Sequence, residues 1–77
     1  MELEQFIENF AAQFDETDYA EFEFNTQFKE LEEWSSLIAL SIIAMIDEEY
    51  DVCIKGEDIR KVSTIGDLYK IVQSRVE

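Results

Sequence analysis

The chain has 77 residues, of which 19 are acidic and 6 are basic, and its formal net charge is −13. Such a surface repels nucleic acid and anionic lipid, so the sequence indicates neither a nucleic-acid partner nor a membrane partner. It attracts proteins with basic surfaces and speeds encounter with them. The chain has no His, which removes the commonest general base and the commonest metal ligand. We expect residues 1–77 to form a single domain.

Three features of the sequence indicate the cellular compartment: the first residues, the longest apolar run and the single cysteine. The first residues are acidic, where a secretory signal would be basic and then apolar. The longest apolar run, Leu37–Met45, is too short to span a bilayer. The single Cys53 has no internal disulfide partner, and we expect it to be a buried, inert thiol. These features predict a soluble, cytoplasmic protein.

The first predicted helix covers Glu2 to Phe14. Its apolar residues recur at intervals of three and four, and polar residues fill the other face, as in an amphipathic helix. The stripe consists of Leu3, Phe6, Ile7, Phe10, Ala11 and Phe14.

The pattern weakens from Asp15 to Trp34, which we interpret as a long loop held to the core by its aromatic residues. Asn25 or Thr26 could cap a short turn within it. A loop of this length in a compact domain is unusual and often functional. Trp34 is expected to anchor the loop beside the start of the second helix.

The second predicted helix starts near Ser35 or Ser36, with Ser35 as a natural N-cap, and runs to about Tyr50. At 100° per residue, one set of side chains clusters on a core face. That face comprises Ala39, Ile42, Ile43, Ile46 and Tyr50. A short link leads to a turn at Glu57–Lys61. The last helix starts after Thr64, whose spacing to Asp67 is that of a capping box, and continues to about Arg75.

Several apolar residues of the second helix fall outside its core face. Leu37 and Ala44 are expected to be exposed, whereas Leu40 and Met45 could either be exposed or pack beneath the long loop. An apolar strip bordered by the acids Asp47, Glu48 and Asp51 is typical of a docking surface. Ser36 lies in the first turn, where unpaired N–H groups and the positive end of the helix dipole favour a phosphate.

Three segments of the chain resemble the acyl carrier protein family. Trp34-Ser35-Ser36-Leu37 is similar to the family's Asp-Ser-Leu signature at the start of its second helix. Glu48-Glu49-Tyr50-Asp51 resembles the acidic and aromatic end of that helix. The segment 63–68 resembles the start of the family's last helix. The resemblance implies an all-α, acyl-carrier-like four-helix bundle with a long loop between helices 1 and 2 and a short third helix.

The same resemblance implies a function. A phosphopantetheinyl transferase would attach 4′-phosphopantetheine to Ser36, and the arm would carry acyl or related groups as thioesters. The chain would then be a monomeric carrier, not an enzyme, serving acyl- or aminoacyl-transferring enzymes of fatty acid, lipid or secondary metabolism. The residues that would recognise these partners are Leu37, Leu40, Ala44, Met45, Asp47 and Glu48.

One departure from the family pattern keeps alternatives open. Ser35 stands where the family has Asp, so the arm could instead be attached to Ser35. The chain could also be an acidic protein-interaction module that has the carrier fold and no arm. A calcium loop is not expected, because Val52 and Asp58 would occupy the Gly and Glu positions counted from Asp47.

Overall fold

We describe residues 2–76 in a computed structural model; Met1 and Glu77, the ends of the predicted domain, lie outside the described residues. This part of the chain contains four α-helices and no strand. They are α1 (Leu3–Ala11), α2 (Ser36–Tyr50), α3 (Gly56–Lys61) and α4 (Ile65–Arg75). The prediction of an all-α fold with a long α1–α2 loop and a short third helix is confirmed.

Helix α1 is shorter than predicted at both ends, but its apolar stripe continues beyond it. After Ala11 the chain tightens, and the N–H groups of Gln13 and Phe14 donate to the carbonyls three residues earlier at 3.1 and 3.0 Å. Phe14 therefore stays buried although it lies outside the regular helix. The helix packs against α2 and α4.

Helix α2 is capped at its start and stopped at its end by local chemistry. Ser35 has extended backbone angles, and its side chain accepts a hydrogen bond from the N–H of Ile38, as predicted for an N-cap. Asp51 ends the helix in the left-handed region, with φ of 56°. Asp tolerates this conformation better than most residues because its short polar side chain can bond locally.

The long loop is ordered by two 3₁₀ turns, Tyr19–Glu21 and Phe28–Glu30, and by its aromatic side chains. Phe22 and Phe28 are buried, as the prediction of an aromatic-anchored loop requires. The N-cap residue of the second turn is Gln27, so the prediction that Asn25 or Thr26 caps it is wrong. The carbonyls of Phe24 and Thr26 accept the N–H groups of Gly66 and Ile65 at 2.8 and 3.1 Å, which fixes the loop to the start of α4.

The predicted capping of α4 is confirmed. Thr64 accepts a hydrogen bond from the N–H of Asp67 at 3.0 Å, and the Asp67 carboxylate accepts from the N–H of Thr64 at 3.2 Å. The Asp67 carboxylate also accepts from the N–H of Ser63. These bonds satisfy donors that a helix start otherwise leaves unpaired.

A single cluster of buried side chains forms the core of the described residues, and its most deeply buried members come from α1, α2, α4, the long loop and the link before α3. Burial of this apolar surface is the main force that stabilises the fold. The side chains with almost no exposure are Phe6, Phe10, Phe28, Ile42, Ile46, Ile54, Ile65, Leu68 and Val72.

Candidate functional site

Ser36 is the first residue of α2, and it is exposed. Its hydroxyl makes no hydrogen bond to any residue in the part of the chain described here, whereas the neighbouring Ser35 hydroxyl is engaged as the cap. The first turn of α2 carries no acidic residue. The Ser36 oxygen thus stands at the positive end of a 15-residue helix dipole with no neighbouring carboxylate in that turn.

The segment before the two serines is held by Trp34. Its ring lies against Phe28 at a centroid distance of 5.0 Å in an edge-on arrangement, and 6.4 Å from the ring of Phe14. Aromatic pairs at such distances contribute packing energy beyond the area they bury. Trp34 is half-buried and anchors the loop at the start of α2, as predicted.

Glu33 fixes the other side of this segment by binding the loop that follows α1. Its carboxylate accepts hydrogen bonds from the N–H groups of Asp15, Glu16 and Thr17 at 2.6, 2.9 and 2.9 Å, and from the Thr17 hydroxyl at 2.8 Å. Partial burial opposes the charge, but these four donors together outweigh it and lower the pKa of Glu33. The ionised carboxylate therefore ties residues 15–17 to the approach to Ser36.

An apolar strip follows Ser36 along the outer face of α2. Leu37 and Leu40 are 76% and 62% exposed, and Ala44 is exposed as well. The prediction of exposure for Leu37 and Ala44 is confirmed, and the open question for Leu40 is decided in favour of exposure. Single exposed apolar side chains are ordinary, but a contiguous group of them marks an interaction surface.

Two acids border this strip. Asp47 and Glu48 are exposed in the last turns of α2, beyond Ala44. We use the name docking strip for the set Leu37, Leu40, Ala44, Asp47 and Glu48. A strip that combines apolar contact area with negative charge is complementary to an apolar surface ringed by Lys or Arg.

The proposed membership of Met45 in the recognition surface is wrong. Met45 is 7% exposed and belongs to the core cluster, so it offers no contact area to a partner. Met45 lies at the flank of the outer face of α2, where it lines a surface cleft together with Gln13 from the segment after α1. A flexible Met side chain suits such an irregular boundary.

The expected burial of Cys53 is also wrong, since the residue is exposed. Its neighbours Val52 and Ile54 are both buried. In an extended link successive side chains point to opposite sides, so burial of the two neighbours turns the residue between them outward.

A cleft opens directly beside Ser36, between the start of α2, the second 3₁₀ turn and α3. Its volume is about 390 Å³. Its lining is mostly apolar and includes two basic residues. The lining residues are Lys29, Trp34, Ser35, Ser36, Ala39, Leu40, Ile43, Gly56, Ile59 and Arg60.

The described residues contain neither a cluster of metal-ligating side chains nor a helix able to span a membrane. Within residues 2–76, no group of three His, Cys, Asp or Glu side chains is placed to hold a metal ion. The alternating acids Asp47, Glu49 and Asp51 lie in and just after α2. Across the same range, the helices are all too short or too polar to cross a bilayer.

An ion pair that was not predicted from the sequence joins α3 to the end of α4. The Arg75 guanidinium donates to both carboxylate oxygens of Asp58, at 3.0 and 3.1 Å. Asp58 also accepts the N–H of Lys55 at 3.0 Å. The hydrogen bonds from Arg75 and Lys55 lower the pKa of Asp58 from 3.8 to about 2. The pair orients α3, which forms one wall of the cleft.

Comparison with known proteins adds no assignment. No protein-family model matches the chain, and no curated protein matches it either.

Proposed function

We propose that this chain is an acyl carrier protein. In this proposal Ser36 bears a 4′-phosphopantetheine arm, which carries acyl or related intermediates as thioesters to partner enzymes. The observation that carries the proposal is the exposed Ser36 hydroxyl at the first position of α2, free of hydrogen bonds to residues 2–76. A serine that served only as a cap would have its oxygen occupied, as that of Ser35 is.

The surroundings of Ser36 fit the phosphodiester that such an arm would bring. The hydroxyl is accessible to a transferase, and the first turn of α2 carries no carboxylate that would repel a phosphate. The positive end of the helix dipole favours an anion at this position. The thiol at the far end of the arm would form the thioester, and this chain would hold the arm and present it to partner enzymes.

The docking strip supports a role in serial encounters with several enzymes. Leu37 begins the strip one residue after the attachment point, so a partner that covers it would also face the arm. Exposed acids at its far end can pair with basic residues of a partner and accelerate association. Phosphopantetheinyl transferases and acyl- or aminoacyl-transferring enzymes with basic surfaces are the partners this arrangement suits.

The proposal is tested by incubating the purified chain with coenzyme A and phosphopantetheinyl transferases of broad specificity. Intact mass spectrometry should show a gain of one phosphopantetheine group. Ser36→Ala should abolish the gain, and the matched variant Ser35→Ala should retain it. No gain with any of several transferases, for a chain that is folded by circular dichroism, would overturn the proposal.

A second candidate function is an acidic protein-interaction module that has this fold and no arm. It is favoured by Ser35, which stands where the carrier family has Asp and is committed to capping α2. This alternative uses the docking strip alone. It requires that a partner bind wild type and Ser36→Ala with equal affinity, and that protein from the native host carry no added mass.

A further inference from the structure

The cleft beside Ser36 differs in charge from the rest of the surface. Acidic residues make up 19 of the 77 positions, yet none lines this cleft. Four other surface clefts on residues 2–76 each include at least one glutamate. Two of the chain's six basic residues, Lys29 and Arg60, line it instead.

Both cationic groups are available to a ligand. Lys29 and Arg60 make no ion pair with a carboxylate anywhere in residues 2–76. The Lys29 ammonium donates one hydrogen bond, at 3.2 Å, to the backbone carbonyl of Arg60 in α3. That bond holds the ammonium beside the last turn of α3 and leaves two of its three donors for another partner.

The rest of the lining offers apolar contact. Trp34, Leu40, Ile43 and Ile59 form the walls, and Ala39 leaves open space between them. The volume of about 390 Å³ lies in the range of roughly 300–1,000 Å³ that small-molecule sites occupy. An apolar cavity with a few convergent polar groups is the usual form of such a site.

We propose that this cleft is a non-covalent binding site for a small amphipathic carboxylate. The apolar body of the ligand lies against Trp34, Leu40 and Ile43, and its carboxylate pairs with Lys29 and Arg60. An anion gains charge-assisted hydrogen bonds from the two cations, whereas a neutral ligand gains no such pairing and a cationic ligand is repelled. The site goes beyond the carrier function proposed above, because it is complete in the unmodified chain.

Trp34 makes the site directly observable. It is the only Trp in the chain and lines the cleft, so its fluorescence reports occupancy of this site. The unmodified full chain, with its mass verified, is titrated with octanoate, with 1-octanol and with octyltrimethylammonium. We expect a saturable change in Trp34 emission with octanoate, and affinities for the other two probes that are lower by roughly tenfold or more.

Matched variants separate a specific site from general charge effects. The double variant Lys29→Gln/Arg60→Gln should weaken octanoate binding by roughly tenfold or more. The control Lys61→Gln/Lys70→Gln removes the same charge outside the cleft and should leave the affinity within about twofold. Ala39→Leu fills the cleft without changing charge, retains a good helix former, and should also weaken binding. Circular dichroism verifies that each variant is folded.

Three results would overturn the inference: equal affinity for octanoate and 1-octanol, equal weakening by the two double variants, or full binding by Ala39→Leu. Each is obtained without any transferase or arm. Failure here therefore leaves the carrier proposal standing, and failure of Ser36 to accept phosphopantetheine leaves this site standing.

Discussion

The side-chain oxygen of Ser35 accepts a hydrogen bond from the backbone N–H of Ile38 at 3.3 Å, while the adjacent Ser36 hydroxyl has no hydrogen-bond partner in residues 2–76. Two consecutive serines at one helix start therefore have different tasks. The first satisfies an unpaired donor of α2, and the second presents its oxygen to solvent.

Substitution of the two serines should change the free energy of unfolding by different amounts. Ser35→Ala removes the cap and should lower the free energy of unfolding by about 0.5–2 kcal/mol. Ser36→Ala removes an exposed hydroxyl without partners and should change it by less than about 0.5 kcal/mol. Urea unfolding followed by circular dichroism measures both. A larger loss for Ser36→Ala than for Ser35→Ala would contradict the assignment of the cap.

Substitution of Leu40 and of Met45 should also change the free energy of unfolding by different amounts, because Leu40 is exposed and Met45 is in the core. Leu40→Ala should change the free energy of unfolding by no more than about 0.5 kcal/mol. Met45→Ala creates a cavity and should cost about 2–5 kcal/mol. The same urea experiment tests the pair, with Ile42→Ala as a reference for a buried residue. Equal costs would mean that the docking strip is covered in solution.

The Asp58–Arg75 pair predicts a specific loss of stability in acid. The hydrogen bonds from Arg75 and Lys55 lower the pKa of folded Asp58 from 3.8 to about 2. The unfolded chain therefore binds a proton at Asp58 more readily than the folded chain does. The stabilisation by Asp58 is complete above about pH 4 and is lost as the pH falls towards about 2.

Thermal unfolding of wild type and Asp58→Asn across that pH range isolates this contribution. The variant should melt at a lower temperature than wild type at neutral pH, and the difference should shrink as the pH falls through the window. The exposed neighbour Glu57 provides the control Glu57→Gln, for which we expect no such convergence. If the difference in melting temperature between wild type and Asp58→Asn did not change with pH, the ion pair would not be stabilising the ionised Asp58 in solution.

The Glu33 carboxylate should order the loop that follows α1. Glu33→Gln replaces one accepting oxygen by a donor and removes the charge, so in either orientation of the amide at least one N–H group of residues 15–17 loses its acceptor and the remaining bonds weaken. Amide hydrogen exchange of residues 15–17 should then be faster by roughly tenfold or more, since local opening is no longer opposed. Glu32→Gln, at an exposed neighbouring position, is the control. Unchanged exchange in Glu33→Gln would contradict the role of this carboxylate.

Local patterns predicted much of the fold. The apolar periodicity identified the two long helices that flank the loop, and the Thr64–Asp67 spacing gave the start of α4. The Ser35 cap placed the start of α2 correctly. These features depend on residues within one or two turns of each other, which is why sequence alone is sufficient for them.

The features that sequence analysis missed depend on contacts between distant segments. Arg75 reaches Asp58 across two helices, and Glu33 reaches back to residues 15–17 across the long loop. Neither spacing follows a helix or strand period. The cleft beside Ser36 likewise needs Lys29 from the loop and Arg60 from α3 to meet. Met45 and Cys53 were misplaced because burial at a helix flank or in a link is decided by neighbouring segments.

The most direct test of the carrier assignment is fragmentation mass spectrometry of the chain isolated from its native host. Tryptic cleavage after Lys29 and Lys55 yields the peptide 30–55, which contains Ser35, Ser36 and Ser41. We expect a phosphopantetheine group on this peptide, with fragment ions that place it on Ser36. A peptide found only in unmodified form, or with the group on Ser35 or Ser41, would contradict it.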